Sequence, residues 1–161
     1  MTSAGNSQAS DDLRALYQET ILAHHKNPRN FGDLEGANRR VEGHNPLCGD
    51  HLTLQLKLEN GVIQAIAFKG DGCAISRASA SLMTSAVKGL TVLQAEALFE
   101  KFHRMLTRSV SEPFDAEGEG MGKLAVFSQV CEFPARVKCA TLSWQSLKTA
   151  LASDDAEVTT E

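Results

Sequence analysis

The stretch that most restricts the fold is HLTLQLKLENGVIQAIAFKG, residues 51–70. Leucines occupy every second position from 52 to 58, which is the pattern of a strand with one buried face. Asn60-Gly61 then provides the positive φ angles of a tight turn, and a second apolar run follows it. These residues predict a β-hairpin, and a further strand is predicted around residues 39–42.

The apolar pattern changes from period two to a helical period directly after the hairpin. In CAISRASASLMTSAVKGL, apolar residues recur at every fourth position from 74 to 86, and Gly89 suits the end of a helix. Thr91 followed by Gln94 resembles a capping box, which opens a helix through about Leu106. The sequence therefore predicts two consecutive helices after the hairpin.

Further helices are predicted at both ends of the chain. DDLRALYQETILAHHKNPRN has apolar residues on a helical period and stops at Asn27-Pro28, because a residue before proline avoids the helical region. PARVKCATLSWQSLKTAL predicts a last helix that opens after Pro134, and the Gly- and Glu-rich segment 107–122 predicts a loop or insertion. The predicted fold class is α+β, with a small antiparallel three-stranded sheet and helices packed on one side.

Length and composition favour a single soluble domain. The chain has 161 residues and a net charge of −4, which weighs against nucleic acid as a partner. It has no run of 18 apolar residues that would span a membrane and no apolar leader that would direct secretion. We expect a domain over residues 11–151 between a flexible tail at 1–10 and an acidic flexible tail at 152–161, in a reducing cytoplasm where the four cysteines stay free of disulfides.

Three of the four cysteines fall where one predicted element gives way to the next. Cys48 precedes a strand, Cys73 opens a helix, and Cys139 is expected in the first turn of the last helix, where a thiol is acidified by the helix N-terminus. Together with Asp50 they would offer three soft sulfurs and one oxygen, a set that suits tetrahedral Zn²⁺. Because the cysteines are far apart and form no CxxC motif, an equal alternative at this point is that they are buried small apolar residues.

Three motifs resemble the signatures of the U-type iron–sulfur cluster assembly proteins, the IscU/NifU N-terminal-like family. They are NPLCGD, GDGCAISRASASLM and FPARVKCATLSW, and LYQETILAHHKNPRNFG is similar to the family's N-terminal helix. The likeness covers about residues 13–151 in order. Lys138 before Cys139, where the scaffold branch carries histidine, and the extra segment before it make the chain resemble the SufU-type branch.

The resemblance implies a zinc-dependent sulfur acceptor. It implies that Cys48, Asp50, Cys73 and Cys139 bind Zn²⁺ and that Cys48 receives persulfide sulfur from a pyridoxal-phosphate-dependent cysteine desulfurase of the SufS type. The sulfur then passes to a downstream iron–sulfur scaffold, so the chain would act as a sulfurtransferase only with its partner. The alternatives are an iron–sulfur scaffold that assembles a cluster on its three motif cysteines and a structural zinc interaction module.

The remaining polar residues have separate interpretations. Arg136 is a candidate contact for the persulfide or the partner, although a solvated arginine is equally expected there. Cys131 matches no motif position and is expected to be a packing or surface residue. His44 and His51 are expected near the site or exposed without binding the metal, and the pair at 24–25 is expected at a helix C-terminus, where it complements the dipole.

Overall fold

The computed structural model describes residues 2–114, 120–152 and 155–159 of the chain. The helices and strands, in chain order, are α1 (Thr2–Lys26), β1 (Arg39–Asn45), β2 (Asp50–Glu59), β3 (Val62–Asp71), α2 (Ala74–Val87), α3 (Val92–Thr107), α4 (Pro134–Ala152) and β4 (Asp155–Thr159). Two short 3₁₀ helices, Gly122–Phe127 and Val130–Glu132, lie between α3 and α4.

The predicted antiparallel sheet is confirmed, and one further strand joins it. The strand order is β3-β2-β1-β4, in which β2 is antiparallel to both β1 and β3, and β4 is parallel to β1. The β2–β3 turn has the expected geometry, because Asn60 and Gly61 have φ angles of 54° and 71°. Arg39–Asn45 forms a full strand where the sequence predicted a shorter one.

The helices cover one face of the sheet, as predicted. Residues at alternate positions of β1 and β2, among them Val41, Leu54 and Leu56, are fully buried in one apolar core with side chains of α2, α3 and α4. Helix α4 lies very close to β1, since a Cβ on Gly43 would be 2.6 Å from Ser146 Oγ. A side chain at that position would push α4 away, so glycine there permits the close approach.

The start of α3 is fixed by the capping box that the sequence predicted. The backbone N–H of Gln94 donates to Thr91 Oγ1 at 3.2 Å, and the backbone N–H of Thr91 donates to Gln94 Oε1 at 3.0 Å. Two backbone N–H groups that the helix leaves unpaired are therefore satisfied.

The structure differs from the sequence prediction at both ends of the described chain. Helix α1 begins at Thr2, within the predicted tail 1–10, and Asp155–Thr159 forms an edge strand within the predicted acidic tail 152–161. Residues 2–10 are small and polar and show no apolar period, and a helix that has started can extend through them by its backbone hydrogen bonds. The edge strand has only five residues and pairs through its backbone, so its sequence gave too little signal to predict it. Part of the predicted insertion, 115–119, lies outside the described residues.

None of the helices in the described part of the chain combines the length and the apolarity that a membrane crossing requires.

Candidate metal centre

The first candidate ligand lies in the loop that joins β1 to β2. Asn45 and Asp50 form the last pair of that hairpin, and residues 46–49 connect them. Gly49 has a φ angle of 71°, which a residue with a side chain rarely adopts, and the backbone N–H of Cys48 donates to the carbonyl of Asn45 at 3.3 Å. The loop leaves Cys48 exposed to solvent at the end of the sheet.

Asp50 opens β2 and lies beneath that loop with 2% of its surface exposed. Its two oxygens accept separate hydrogen bonds, Oδ1 from the backbone N–H of Cys73 at 2.9 Å and Oδ2 from Asn45 Nδ2 at 3.2 Å. Gly72 makes room for the carboxylate, because a Cβ there would lie 2.8 Å from Oδ1. The carboxylate is therefore held in one orientation.

Cys73 is the N-cap of α2. Its sulfur accepts the backbone N–H of Ser76 at 3.4 Å and lies 4.0 Å from Asp50 Oδ2. The pKa of Cys73 is lowered to about 7, chiefly by the hydrogen bond from Cys139 and further by the Ser76 N–H, against the opposing effects of burial and the Asp50 charge. The backbone N–H groups at the helix start contribute to this lowered pKa, as expected for a cysteine there, but the contact with Cys139 contributes more.

Cys139 lies deeper in its helix than the sequence predicted. Helix α4 begins at Pro134, so Cys139 belongs to its second turn and not to the first, where unpaired N–H groups would acidify it. Its sulfur is buried and lies 3.2 Å from Cys48 Sγ. The pKa of Cys139 is raised, first by its hydrogen bond to Cys73, then by burial and by its hydrogen bond to Cys48.

The fold thus gathers three of the four predicted ligands into one group and places the fourth, Cys73, beside it. The ligand atoms of Cys48, Asp50 and Cys139 all lie within 4.8 Å of one another, in an arrangement that could hold a metal ion, and Cys73 joins them through its contact with Asp50. Cys131 lies apart in a 3₁₀ helix, with its sulfur 3.6 Å from the carbonyl oxygen of Ser128.

The charges of this group fit a divalent cation. The pKa of Cys73 is lowered, chiefly by the hydrogen bond from Cys139, and the negative charge of Asp50 opposes that shift. The pKa of Cys139 is raised chiefly by its hydrogen bond to Cys73 and by burial, and further by the charge of Cys73, so like charges in this group repel each other. Protons on the thiols are one way to relieve this repulsion. A metal ion that binds thiolate and carboxylate replaces those protons, and three sulfurs with one oxygen match the ligand preference of Zn²⁺.

Asn45 is a residue of this site that the sequence analysis missed. It is fully buried, and its Nδ2 donates to Asp50 Oδ2 at 3.2 Å and to Cys139 Sγ at 3.4 Å. Its Oδ1 is buried without a hydrogen-bond partner in the described structure. An asparagine before Pro46 is typical of a turn, so only the pairing of the two strands reveals that it faces the thiols.

The other residues singled out from the sequence lie around the site or away from it. Arg136 is exposed, and its guanidinium carbon lies 4.6 Å from the centroid of the Phe133 ring. His24 lies in the last turn of α1, as predicted, with Nδ1 2.7 Å from Ser81 Oγ. His44 and His51 are exposed on the outer face of the sheet, which agrees with the expectation that neither belongs to the donor group.

Comparison with known proteins places these motifs in a family. The chain is 38% identical over 144 residues to the zinc-dependent sulfurtransferase SufU of Bacillus subtilis (strain 168), an alignment that covers 89% of this chain and 95% of that protein. It is 41% identical over 139 residues to the iron–sulfur cluster assembly scaffold protein IscU of Thermotoga maritima, which covers 86% of this chain and 94% of that one.

A solved structure with the same fold has a related description. It is the putative iron–sulfur cluster assembly scaffold protein for the SUF system from Fervidobacterium islandicum AW-1, with a TM-score of 0.74 and 33% identity, covering 83% of this chain and 94% of that chain. The family model described as NifU-like N terminal domain matches residues 16–158. This match contains all four candidate ligands, and the chain belongs to the family of NifU-like N-terminal domains.

Proposed function

We propose that this chain is a zinc-bound sulfur acceptor that takes persulfide sulfur from a cysteine desulfurase on Cys48 and passes it to iron–sulfur cluster assembly. The observation that carries the proposal is the unequal exposure of the ligands. Cys48 is exposed in a loop, whereas Asp50 and Cys139 are 2% exposed and held by neighbouring groups. One thiol can therefore leave the group and meet a partner while the others stay in place.

The proposed zinc shell consists of Cys48, Asp50, Cys73 and Cys139. When bound, Zn²⁺ keeps the thiols ionised at neutral pH. Asn45 supports the shell by donating to both Asp50 and Cys139, and the N–H of Cys73 fixes the second oxygen of Asp50. Hydrogen bonds of this kind orient ligands and strengthen metal binding.

The sulfur step is a thiol exchange at Cys48. The Cys48 thiolate attacks the terminal sulfur of the partner's persulfide, a new S–S bond forms on Cys48, and the partner's cysteine leaves as a thiolate. No electrons are gained or lost overall, and the sulfane sulfur changes its carrier. The chain by itself supplies no sulfur, so turnover requires the desulfurase.

The surroundings of Cys48 suit a protein partner. Leu47, directly before it, is 62% exposed. An exposed apolar side chain next to a reactive thiol favours docking of another protein. Phe133, directly before the helix that carries Cys139, is 45% exposed beside Arg136. We assign Arg136 to contact with the partner or its persulfide, the partner to the SufS-type desulfurases, and the recipient of the sulfur to a downstream scaffold. Free thiols of this kind favour the cytoplasm as the compartment.

The test combines metal analysis with detection of persulfide. The purified chain is expected to contain one zinc ion, to stimulate a pyridoxal-phosphate-dependent cysteine desulfurase supplied with cysteine, and to gain the mass of one sulfur atom on the peptide that contains Cys48. Cys48→Ser should abolish the stimulation and the added mass. Cys131→Ser is the matched control, because that cysteine lies outside the group, and it should retain both. Full stimulation by Cys48→Ser would disprove the proposal.

A second candidate function is a scaffold that assembles an iron–sulfur cluster on Cys48, Cys73 and Cys139. It is favoured by the similarity to scaffold proteins, including the one from Thermotoga maritima. Anaerobic reconstitution with iron and sulfide distinguishes the two. A stable cluster that moves to an apo-acceptor would support the scaffold, whereas desulfurase stimulation by the zinc form without a cluster supports the sulfur acceptor.

A further inference from the structure

Two histidines face each other on the outer side of the sheet, away from the helices. His44 of β1 and His51 of β2 are direct partners in the antiparallel register, and their ring centroids lie 4.7 Å apart. Both side chains are exposed to solvent. Directly opposed residues of this kind have Cβ atoms about 4.5–5.5 Å apart, so their rings project from neighbouring points in the same direction.

A fixed carboxylate lies beside this pair. Glu42 is two residues before His44 and so projects from the same face, and its Oε2 lies 3.0 Å from His51 Nε2. Thr53 Oγ1 donates to the same oxygen at 2.9 Å, and Arg40 donates to Oε1 at 2.8 Å. Burial alone would raise the pKa of Glu42, but the hydrogen bonds from Arg40 and Thr53 outweigh it and the pKa is lowered. The carboxylate is therefore ionised at neutral pH.

This cluster is separate from the cysteine-rich group. Side chains alternate between the two faces of a strand, so the neighbours Asp50 and His51 point in opposite directions. Asp50 is buried beside Cys139, whereas His51 is exposed with His44, and Glu42 next to it is partly exposed. The two sets of ligands share a strand end but no ligand atom.

We propose that His44 and His51, assisted by Glu42, form a second site for a divalent transition-metal ion such as Zn²⁺. Imidazole nitrogens suit Zn²⁺, Cu²⁺ and Ni²⁺, and a zinc–nitrogen bond of about 2.0–2.1 Å can be reached from two neighbouring rings. Exposed side chains change rotamer within picoseconds to nanoseconds, so both rings can turn to one ion without backbone movement. Glu42 accepts the proton of His51 Nε2, so that the other ring nitrogen can bind the ion, as carboxylates do for metal-bound histidines.

An ion at this second site links β1 to β2 one residue pair before the loop that carries Cys48. The pair Asn45 and Asp50 follows His44 and His51 directly. A cross-link at this point restrains the base of the loop, whereas Cys48 itself stays outside the coordination. Binding of an ion at this second site would therefore reduce the mobility of the loop that carries Cys48, the proposed sulfur-accepting thiol.

The test is calorimetric titration of the zinc-loaded full chain with additional Zn²⁺. We expect a second equivalent to bind, and His44→Gln or His51→Gln to weaken it at least about tenfold, since even the loss of a group that supports a ligand costs about 10–100-fold. His103→Gln removes a histidine on α3, where its ring stacks on Phe99, and should leave the second equivalent unchanged. Circular dichroism checks that each variant is folded.

A second arm separates this site from the proposed zinc shell. The Cys48→Ser/Cys139→Ser variant lacks two ligands of the proposed zinc shell, and we expect it still to bind one Zn²⁺. Adding His44→Gln and His51→Gln to this variant should abolish that binding. A zinc-loaded chain that takes up no second ion overturns the inference, and so does a second ion whose affinity is unchanged in the double histidine variant. Either result leaves the role of Cys48 in sulfur transfer untouched.

Discussion

Cys48 and Cys139 are far apart in the sequence, yet their sulfur atoms lie 3.2 Å from each other. Cys48 is exposed and Cys139 is buried, so the pair links the solvent-accessible loop to the buried side of α4. Two thiols at this separation are close enough for an oxidant to join them in a disulfide when no metal binds them.

We therefore predict an intrachain disulfide between these two cysteines after the metal is removed. When a chelator has removed the metal, hydrogen peroxide should oxidise both thiols to the disulfide. The two thiols give up two protons and two electrons, and the peroxide is reduced to water. Peptide mapping without reduction should identify the Cys48–Cys139 link, and a thiol reductant should reverse it. The zinc-loaded chain is the control and should resist the same treatment; equal oxidation of both forms would contradict the prediction.

Removal of the metal should also lower the free energy of unfolding. A ligand that binds only the folded chain stabilises it by about 2.7 kcal/mol when its free concentration is about 100 times its dissociation constant. Urea unfolding with and without a chelator measures the difference. On addition of the chelator, the free energy of unfolding of Cys131→Ser should fall by the same amount as that of the unmodified chain. Cys139→Ser lacks a proposed ligand, so the chelator should change its free energy of unfolding little.

Asn45→Ala should weaken zinc binding about 10–100-fold, because it removes the amide that donates to both Asp50 and Cys139. The matched control is Asn38→Ala. Asn38 also makes two hydrogen bonds, both to the backbone of Leu58 at 2.8 Å, but it lies outside the donor group. The control should lose stability without a change in zinc affinity, as measured by competition with a chromophoric chelator. Equal zinc affinities in both variants would show that Asn45 has no part in the site.

Gly72→Ala should disturb the orientation of Asp50. The added methyl group would lie 2.8 Å from Oδ1 and 3.3 Å from Ser76 Oγ, so the carboxylate must shift away from the Cys73 N–H. We expect about a tenfold loss of zinc affinity. Zinc competition together with a thermal unfolding curve measures both effects, and an unchanged affinity in a folded variant would mean that Asp50 has room to move.

His24 predicts a pH dependence of stability. Its pKa is lowered from 6.5 by burial and by the charges of Arg29 and Lys123, so the folded chain binds a proton there less readily than the unfolded chain. Above the pKa that His24 has in the unfolded chain, this group does not affect the free energy of unfolding. As the pH falls below that pKa, toward the lower pKa of the folded chain, the free energy of unfolding decreases. Urea midpoints between about pH 7 and pH 5 should decline less in His24→Gln than in the unmodified chain. His103→Gln should keep the full decline; an identical decline in all three proteins would assign the effect to other groups.

The sequence predicted those parts of the fold whose signals are local. The alternating leucines before Asn60-Gly61 located the hairpin, and Thr91 with Gln94 located the start of α3. Strand β4 was not predicted, because it pairs with β1 through its backbone and its five residues, with only Ala156 and Val158 apolar, are too few to give a clear strand signal. Strand pairing between segments that are distant in the sequence is difficult to predict from either segment alone.

The site was predictable in its chemistry but not in its geometry. Three motif cysteines and one aspartate indicated a metal site, whereas their convergence depends on the packing of α2 and α4 against the same face of the sheet. The predicted position of Cys139 was wrong by one turn, because it is the sixth residue of the helix that begins at Pro134 and one turn takes only 3.6 residues. Asn45 was missed for a related reason, since its role arises only when the strand pair places it beneath Cys139.

The proposed ligands also impose an order on biogenesis. Cys48, Asp50 and Cys73 come from the first half of the chain, but Cys139 lies in the last helix. A polypeptide still emerging from the ribosome holds an incomplete set of donors, so stable loading of zinc waits until α4 has been made and has packed. Copies truncated before α4 would fail to retain the ion, and metal content would then report whether each molecule had been synthesised through its last helix.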